Sequence, residues 1–289
     1  MPFSRIVAAT DLRIESDEAI RQALAIARGR HRVAICHVLP DTRLVRSLFP
    51  QLHADDAVAA LEVQRWAREE IDRCLSRVGS PDVDVYLETG SAHARVLARA
   101  RNLQAELIVV GGPQVWPRPT GTAQQIVRGA PMPVLVARSS PRGPLLAATD
   151  LSDPSIAALK TAARQAAALG LPLEVVHVVD VEREAGWLAA VRRLGAGGEA
   201  YSARVAEAVE RAGTELAALV AEHAPGATAH VAHGRAATAI VQRARAIEAS
   251  VIFVATHGRG GLDRMLVGSV AEEVVMTASC SVLAVRHIA

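Results

Sequence analysis

The chain contains its own duplicate, and that bounds the fold before any other property does. Ile6-Val7-Ala8-Ala9-Thr10-Asp11-Leu12 returns as Leu145-Leu146-Ala147-Ala148-Thr149-Asp150-Leu151, five of seven residues identical and Asp11 answered by Asp150, 139 positions on. The order then holds: Cys36-His37-Val38 corresponds to Val176-His177-Val178, Thr89-Gly90 to His233-Gly234, and Glu106-Leu107-Ile108-Val109-Val110 to Ser250-Val251-Ile252-Phe253-Val254. Near the ends Ala123-Gln124-Gln125-Ile126-Val127 matches Ala271-Glu272-Glu273-Val274-Val275, and Val134-Leu135-Val136-Ala137-Arg138 matches Val282-Leu283-Ala284-Val285-Arg286, small insertions having raised the offset to 148. Between the copies lies Ser139-Ser140-Pro141-Arg142-Gly143-Pro144, a turn-rich bridge of the kind that separates domains. Two domains are expected, over 1–140 and 141–289, each of a size that builds one core.

Within each copy, short Val- and Ile-rich runs alternate with Ala/Leu/Arg segments whose apolar residues recur at three and four. In the second copy the strand-like runs lie near 144–149, 172–179, 227–232, 250–255 and 281–286, and the helical segments near 153–169, 184–222, 235–248 and 268–278. The runs are nearly all apolar and lack in/out alternation, which suits a parallel sheet covered on both faces by helices. Five βα-type units per copy follow: an α/β chain of two doubly wound, five-stranded domains. Gly195-Ala196-Gly197-Gly198 predicts a break in the long second helical segment.

Composition removes several function classes. At 51% hydrophobic, 21% charged and mean hydropathy +0.21 the chain is not disordered, and with 3% aromatic residues its core is aliphatic. Thirty-two basic against thirty acidic residues leave +2, too small a field to hold nucleic acid or anionic lipid. Lys160 is the only lysine and follows Leu159, so no Gly-Lys-Ser/Thr phosphate loop exists. Cys36, Cys74 and Cys280 are unevenly spaced, which argues against a disulfide framework or a thiolate zinc site and for reduced thiols. The first residues lack a signal-peptide core, and no stretch reaches the roughly 18 apolar residues of a membrane span. A soluble, cytoplasmic chain is expected.

In an open parallel sheet a ligand binds beyond the carboxyl ends of the strands, where the connections diverge. In the second copy the residues there are Ala148-Thr149-Asp150 after strand one, Val178 after strand two, and Ala255-Thr256-His257-Gly258-Arg259-Gly260-Gly261 after strand four. The last run continues to Gly268-Ser269, which opens a helix. Glycines allow close backbone approach, and unpaired amides of such a loop and helix start point at an anion.

On these residues both copies resemble universal stress protein domains, and the chain as a whole resembles a tandem member of that family. The resemblance implies the strand order 3-2-1-4-5. The family's nucleotide-binding subset carries Gly-x2-Gly-x9-Gly-Ser/Thr after strand four; Gly258, nine residues, Gly268 and Ser269 fit, while position 255 is Ala. The resemblance implies that Ala148 and Thr149 line the cleft and that Asp150 lies near the ribose or a phosphate-bound Mg. Val178 would offer backbone groups to adenine, and Gly258, Gly268, Ser269 and Val270 would wrap the phosphates of ATP, ADP or AMP; Ala255 adds a methyl where the backbone approaches the nucleotide, and His257, inside the glycine loop, reads equally as a phosphate contact or a solvated loop histidine. In the first copy Gly111 reaches Gly121-Thr122 three residues sooner, the middle glycine is missing, and Pro113, Pro117 and Pro119 remove amide donors, so that site reads as degenerate. The family also implies a homodimer.

Duller readings stand beside these. Asp11 and Asp150 also suit a turn into the first helix, although Ser152 or Asp153 before Pro154 is the better cap by position. His37 and His177 follow strand residues identically in both copies, which points to packing or turn hydrogen bonding. Trp116 and Trp187 read equally as core or interface. No Gly-x-Gly-x-x-Gly follows strand one, and Gly-x-Ser-x-Gly and Asp-Phe-Gly are absent, which disfavours dehydrogenase, hydrolase and kinase chemistry. Asp263 and His257 are the only local bases, so no catalytic residue is assigned and turnover would be at most slow ATP hydrolysis. Two readings remain: a stress-response regulator that binds adenine nucleotide in its second domain, and a nucleotide-independent interaction module with vestigial clefts and an unknown protein partner.

Overall fold

The near-continuous apolar runs form buried strands, whereas Asp84–Thr89 and Thr228–His233, expected to be as apolar as the rest, carry polar residues and lie partly exposed at sheet edges. The computed structural model of the chain describes residues 3–27, 33–40, 56–79, 83–112, 121–139, 142–180, 198–257 and 267–286. The chain divides into two units, Met1–Ser139 and Ser140–Ala289.

The first unit comprises β1 (Ile6–Thr10), a 3₁₀ turn (Ile14–Ser16), α1 (Asp17–Ile26), β2 (Val33–Leu39), α2 (Asp56–Val78), β3 (Asp84–Thr89), α3 (Ala92–Asn102), β4 (Leu107–Gly111), α4 (Thr122–Gly129) and β5 (Val134–Ala137). Its strands lie in the order β3-β2-β1-β4-β5, every pair parallel. The second unit comprises β6 (Leu145–Thr149), α5 (Asp153–Leu169), β7 (Leu173–Val179), α6 (Gly198–His223), β8 (Thr228–His233), α7 (Ala236–Ala246), β9 (Val251–Ala255), α8 (Ser269–Thr277) and β10 (Ser281–Val285). Its order is β8-β7-β6-β9-β10, again all parallel. Each unit therefore has the doubly wound 3-2-1-4-5 arrangement. α6 is described from Gly198; residues 181–197, which hold the rest of the predicted glycine break and Trp187, lie outside the described residues, as does Trp116.

Local signals position the elements. α5 starts with Pro154 in its first turn and ends at Gly170, whose φ of 64° suits a left-handed C-terminus; Leu171 N–H closes back on Ala166 O at 3.0 Å. After the third strand of each unit the backbone turns through Gly90 (φ 124°) and Gly234 (φ 114°), a conformation that excludes side chains. Their N–H groups bond Leu39 O at 3.0 Å and Val179 O at 3.1 Å, tying strand three to strand two. The cores are aliphatic, with Ile6, Ile20, Ile35, Leu107 and Ile108 fully buried in the first unit and Leu145, Leu146, Leu159 and Leu216 in the second.

Ion pairs at equivalent places have changed partners. Arg99 of α3 donates through Nε to Glu88 of β3 at 2.8 Å and lies 4.2 Å from the centroid of the Tyr86 ring. Its counterpart Arg243 of α7 makes a two-pronged contact at 2.5 and 2.6 Å with the buried Glu174 of β7, one strand further in. Only the first unit has the buried Asp17, which takes Arg77 Nε at 2.8 Å and the Cys74 thiol at 2.8 Å, clamping α1 to α2.

All three cysteines are free and buried. Burial, then Glu88, pushes the Cys36 thiol up to about 12; burial, then the hydrogen bond to Asp17, does the same for Cys74. Between the ordinary value of 9.0 and about 12 the unfolded thiols lose their protons while the folded ones retain them, so folding stability is unaffected by these groups below about pH 9 and falls as pH rises through that window. At pH 8 a disulfide-exchange dye should therefore titrate Cys36 and Cys74 in guanidinium chloride but not in buffer. Prompt labelling of either in the native chain would contradict this packing. Among the described residues no helix is long and apolar enough to cross a membrane.

Candidate functional site

The second sheet changes direction between β6 and β9: β7 and β8 lie on one side of β6, β9 and β10 on the other. Such a switch point leaves a crevice beyond the carboxyl ends. Here the β6–β9 ladder stops at Ala147↔Phe253, two residues before either strand ends, whereas the β1–β4 ladder runs one pair further, to Ala9↔Val110. The second unit thus opens earlier at its rim.

At the end of β6 the chain enters a turn held by its own side chains. Leu151 has φ 65°, a left-handed conformation that a leucine adopts only under constraint. Its N–H bonds Thr149 Oγ1 at 3.0 Å. Ser155 Oγ donates to Ser152 O at 2.8 Å, so the 2.8 Å contact between Thr149 Oγ1 and Ser155 Oγ has threonine as donor. Asp150 Oδ1 accepts Ser152 N–H at 3.2 Å and also the Ser152 hydroxyl. His177 Nδ1 bonds Thr149 O at 2.9 Å; a carbonyl only accepts, so that nitrogen carries the proton. The first unit repeats the cage: Leu12 at φ 64°, its N–H on Thr10 Oγ1 at 3.0 Å, Thr10 Oγ1 to Ser16 Oγ at 2.7 Å, Arg13 N–H on Asp11 Oδ1 at 3.2 Å and His37 Nδ1 on Thr10 O at 2.8 Å.

The two units differ on the other bank of the crevice. After β9, Thr256 N–H bonds Val285 O at 3.0 Å, and Gly268 N–H bonds Thr256 O at 2.7 Å, closing the base of the glycine loop. Thr256 Oγ1 and His257 Nδ1 are 2.9 Å apart. α8 then starts at Ser269 with no side-chain cap on its amides, and among the described residues no acceptor meets the N–H of Ser269, Val270 or Ala271. In the first unit Gly112 takes the place of Thr256, and no such bond joins it to Gly121 among the described residues. The buried Arg138 lies across Gly112 instead: a Cβ there would fall 2.8 Å from Arg138 Cγ and 2.9 Å from its Cζ. In the second unit the equivalent position is the buried Thr256, and the equivalent arginine, Arg286, is half-buried.

Comparison with known proteins decides the family. The model of the universal stress protein family matches residues 2–138 and again 142–286. The chain belongs to the universal stress protein family. Universal stress protein MJ0531 of Methanocaldococcus jannaschii is 31% identical over 144 residues, 48% of this chain and 78% of that protein. Universal stress protein A homolog 1 of Coxiella burnetii is 32% identical over 148 residues, 49% of this chain and 94% of that protein. A universal stress protein structure from Archaeoglobus fulgidus covers 99% of this chain and 97% of its own at 18% identity and a TM-score of 0.63, a likeness of fold.

Of the residues singled out in the sequence, Ala148 and Thr149 are buried, and the Thr149 hydroxyl is committed inside the cage rather than presented to the cleft. Asp150, Val178, Ala255, His257, Gly268 and Val270 are half-buried at the carboxyl edge, and Ser269 is exposed there. Gly258 and Asp263 lie outside the described residues. The Gly268 amide, expected to face phosphate, closes the loop base instead. Ser152 caps α5 by position, but its hydroxyl serves Asp150. The sequence reading missed Leu151 and Ser155; the signal was present, since Thr, Asp, Leu and Ser recur with the same spacing at 10, 11, 12, 16 and at 149, 150, 151, 155. Among the described residues no group of three or more His, Cys, Asp or Glu is placed to hold a metal ion.

A β-branched residue at φ 65° is a steric outlier, so Leu151→Ile should cost about 1–2 kcal/mol in denaturant unfolding, and Leu151→Gly less. Equal losses would show that side-chain packing, not backbone conformation, decides this position.

Proposed function

We propose that the chain is a nucleotide-binding regulatory member of its family, with ATP or the related ADP or AMP held at the carboxyl rim of the second unit. The observation that carries this reading is the start of α8: three consecutive amides that meet no acceptor among the described residues, behind an N-cap glycine, beside the crevice opened between β6 and β9. On this reading Ser269, Val270 and Ala271 hold phosphate oxygens, with His257 and the glycine loop from Gly258 around them. Val178 presents backbone groups to the base, Ala255 floors the cleft, and Asp150 faces the ribose or a nucleotide-borne Mg. The nucleotide then acts through conformation or through association into a homodimer, in the cytoplasm. Hydrolysis is at most slow, since the described candidate base, His257, has Nδ1 held by Thr256.

One observation favours the second reading, a nucleotide-independent interaction module: the Gly268 amide is taken by Thr256 O, one donor fewer than the motif suggests. The two readings separate cleanly. Mass spectrometry of freshly purified chain should release ATP or ADP at less than one equivalent, and calorimetry should show added ATP binding. Ser269→Pro removes one amide and one hydroxyl while proline remains welcome at the first helical position, after Gly268 at φ −60°, ψ 140°. It should leave the melting temperature near that of the parent and weaken ATP about tenfold or more. A clean preparation that also fails to bind ATP would favour the interaction module.

A further inference from the structure

The β6–β9 ladder ends at Ala147, so the last two residues of β6 run into the crevice without that neighbour. They keep their pairing with β7, Ala148 with Val176 and Thr149 with His177, and a β7 side chain adds a further bond. His177 stands beside Thr149 in the β6–β7 register, is 6% exposed, and donates from Nδ1 to Thr149 O. The Thr149 carbonyl belongs to the same rigid peptide plane as the Asp150 N–H. Holding that oxygen therefore fixes the direction in which Asp150 leaves the strand, and hence where its carboxylate stands on the rim.

We propose that His177 is a positioning residue for the nucleotide rim, acting through the Thr149–Asp150 peptide and touching no ligand itself. This rests on the nucleotide reading above. The cage makes the role specific. Asp150 Oδ1 is bound by Ser152, and Leu151 holds a left-handed conformation that relaxes unless the surrounding bonds over-determine it. The imidazole is the member of that cage supplied by another strand; Thr149, Ser152 and Ser155 lie within seven residues of one another. Without it, the Thr149 carbonyl loses its side-chain bond from β7 and the cage keeps only bonds among its own turn residues.

Duplication supplies the control. His37 makes the same bond to Thr10 O at 2.8 Å in the first unit, where the rim is the degenerate one. The test compares His177→Leu, His177→Asn and His37→Leu in the full chain by three measurements: ATP affinity by calorimetry, melting temperature, and amide hydrogen exchange at Leu151 and Ser152. His177→Leu should weaken ATP about fivefold, the fold-change of one lost hydrogen bond. It should also speed exchange at Leu151 and Ser152. His177→Asn places an amide nitrogen near the position of Nδ1 and should restore most of the affinity. His37→Leu should lower the melting temperature as much as His177→Leu does and leave ATP affinity at the parent value. Where His177→Leu does not fold, His177→Gln, whose nitrogen sits one bond too far out, takes its place.

Parent affinity in His177→Leu, or an equal loss in His37→Leu, overturns the proposal. If the parent binds no ATP the nucleotide reading fails, and the affinity role fails with it. Exchange then decides the positioning itself, and unchanged protection at Leu151 and Ser152 in His177→Leu overturns that too.

Discussion

A leucine in a left-handed turn at the end of the first strand is the constraint around which each unit is arranged. The conformation costs roughly 1–2 kcal/mol for an L-residue and persists because the threonine, serine and histidine bonds leave the chain no alternative. The same constraint sets the aspartate on the rim, directs the chain into the first helix, and uses strand two to do it. Leu12 and Leu151 agree within one degree of φ although the units differ in much else. The turn therefore belongs to the fold, and any difference in what the two units do arises on the opposite bank, after the fourth strand.

There the units have parted for concrete reasons. In the second unit position 256 is threonine, and its carbonyl ties down the Gly268 amide just before α8. In the first unit a glycine at 112 lets Arg138 settle across the strand end. Similar divergence shows in the supports: the arginine shared by α3 and α7 pairs with an edge-strand glutamate in one unit and an interior one in the other. A long guanidinium reaches carboxylates on neighbouring strands, so equivalent arginines can keep an ion pair with different partners.

The parts of this protein that were legible in the sequence are those encoded by periodicity and repetition. Apolar runs such as Leu107–Val110 announced buried parallel strands and the duplicate announced two units, whereas the partly exposed Thr228–His233 reads in the sequence as one more apolar run. The strand order came through family resemblance, since pairing is a tertiary fact that no local pattern carries. The placement of Asp150, Val178, Ala255 and Ser269 at the carboxyl edge followed from the parallel sheet alone. What escaped were hydrogen bonds between residues distant in sequence or indifferent in type. A threonine at a strand end reads as cleft-lining until its hydroxyl is found inside a cage, a motif glycine reads as a phosphate donor until its amide closes a loop, and nothing about leucine advertises positive φ. The repeated Thr-Asp-Leu with serine four residues later was the available clue, because a repeat that preserves polar spacing in a turn preserves geometry.

On the proposed function, the open amides at the start of α8, and not their counterparts at the start of α4, receive an anion. Amide chemical shifts of the full chain recorded through an ATP titration test it most directly. The account predicts saturable shifts for Ser269, Val270 and Ala271, accompanied by Asp150 and Leu151, with Thr122, Ala123 and Gln124 unmoved. Shifts confined to Thr122–Gln124, or none at either helix start at millimolar ATP, would contradict it.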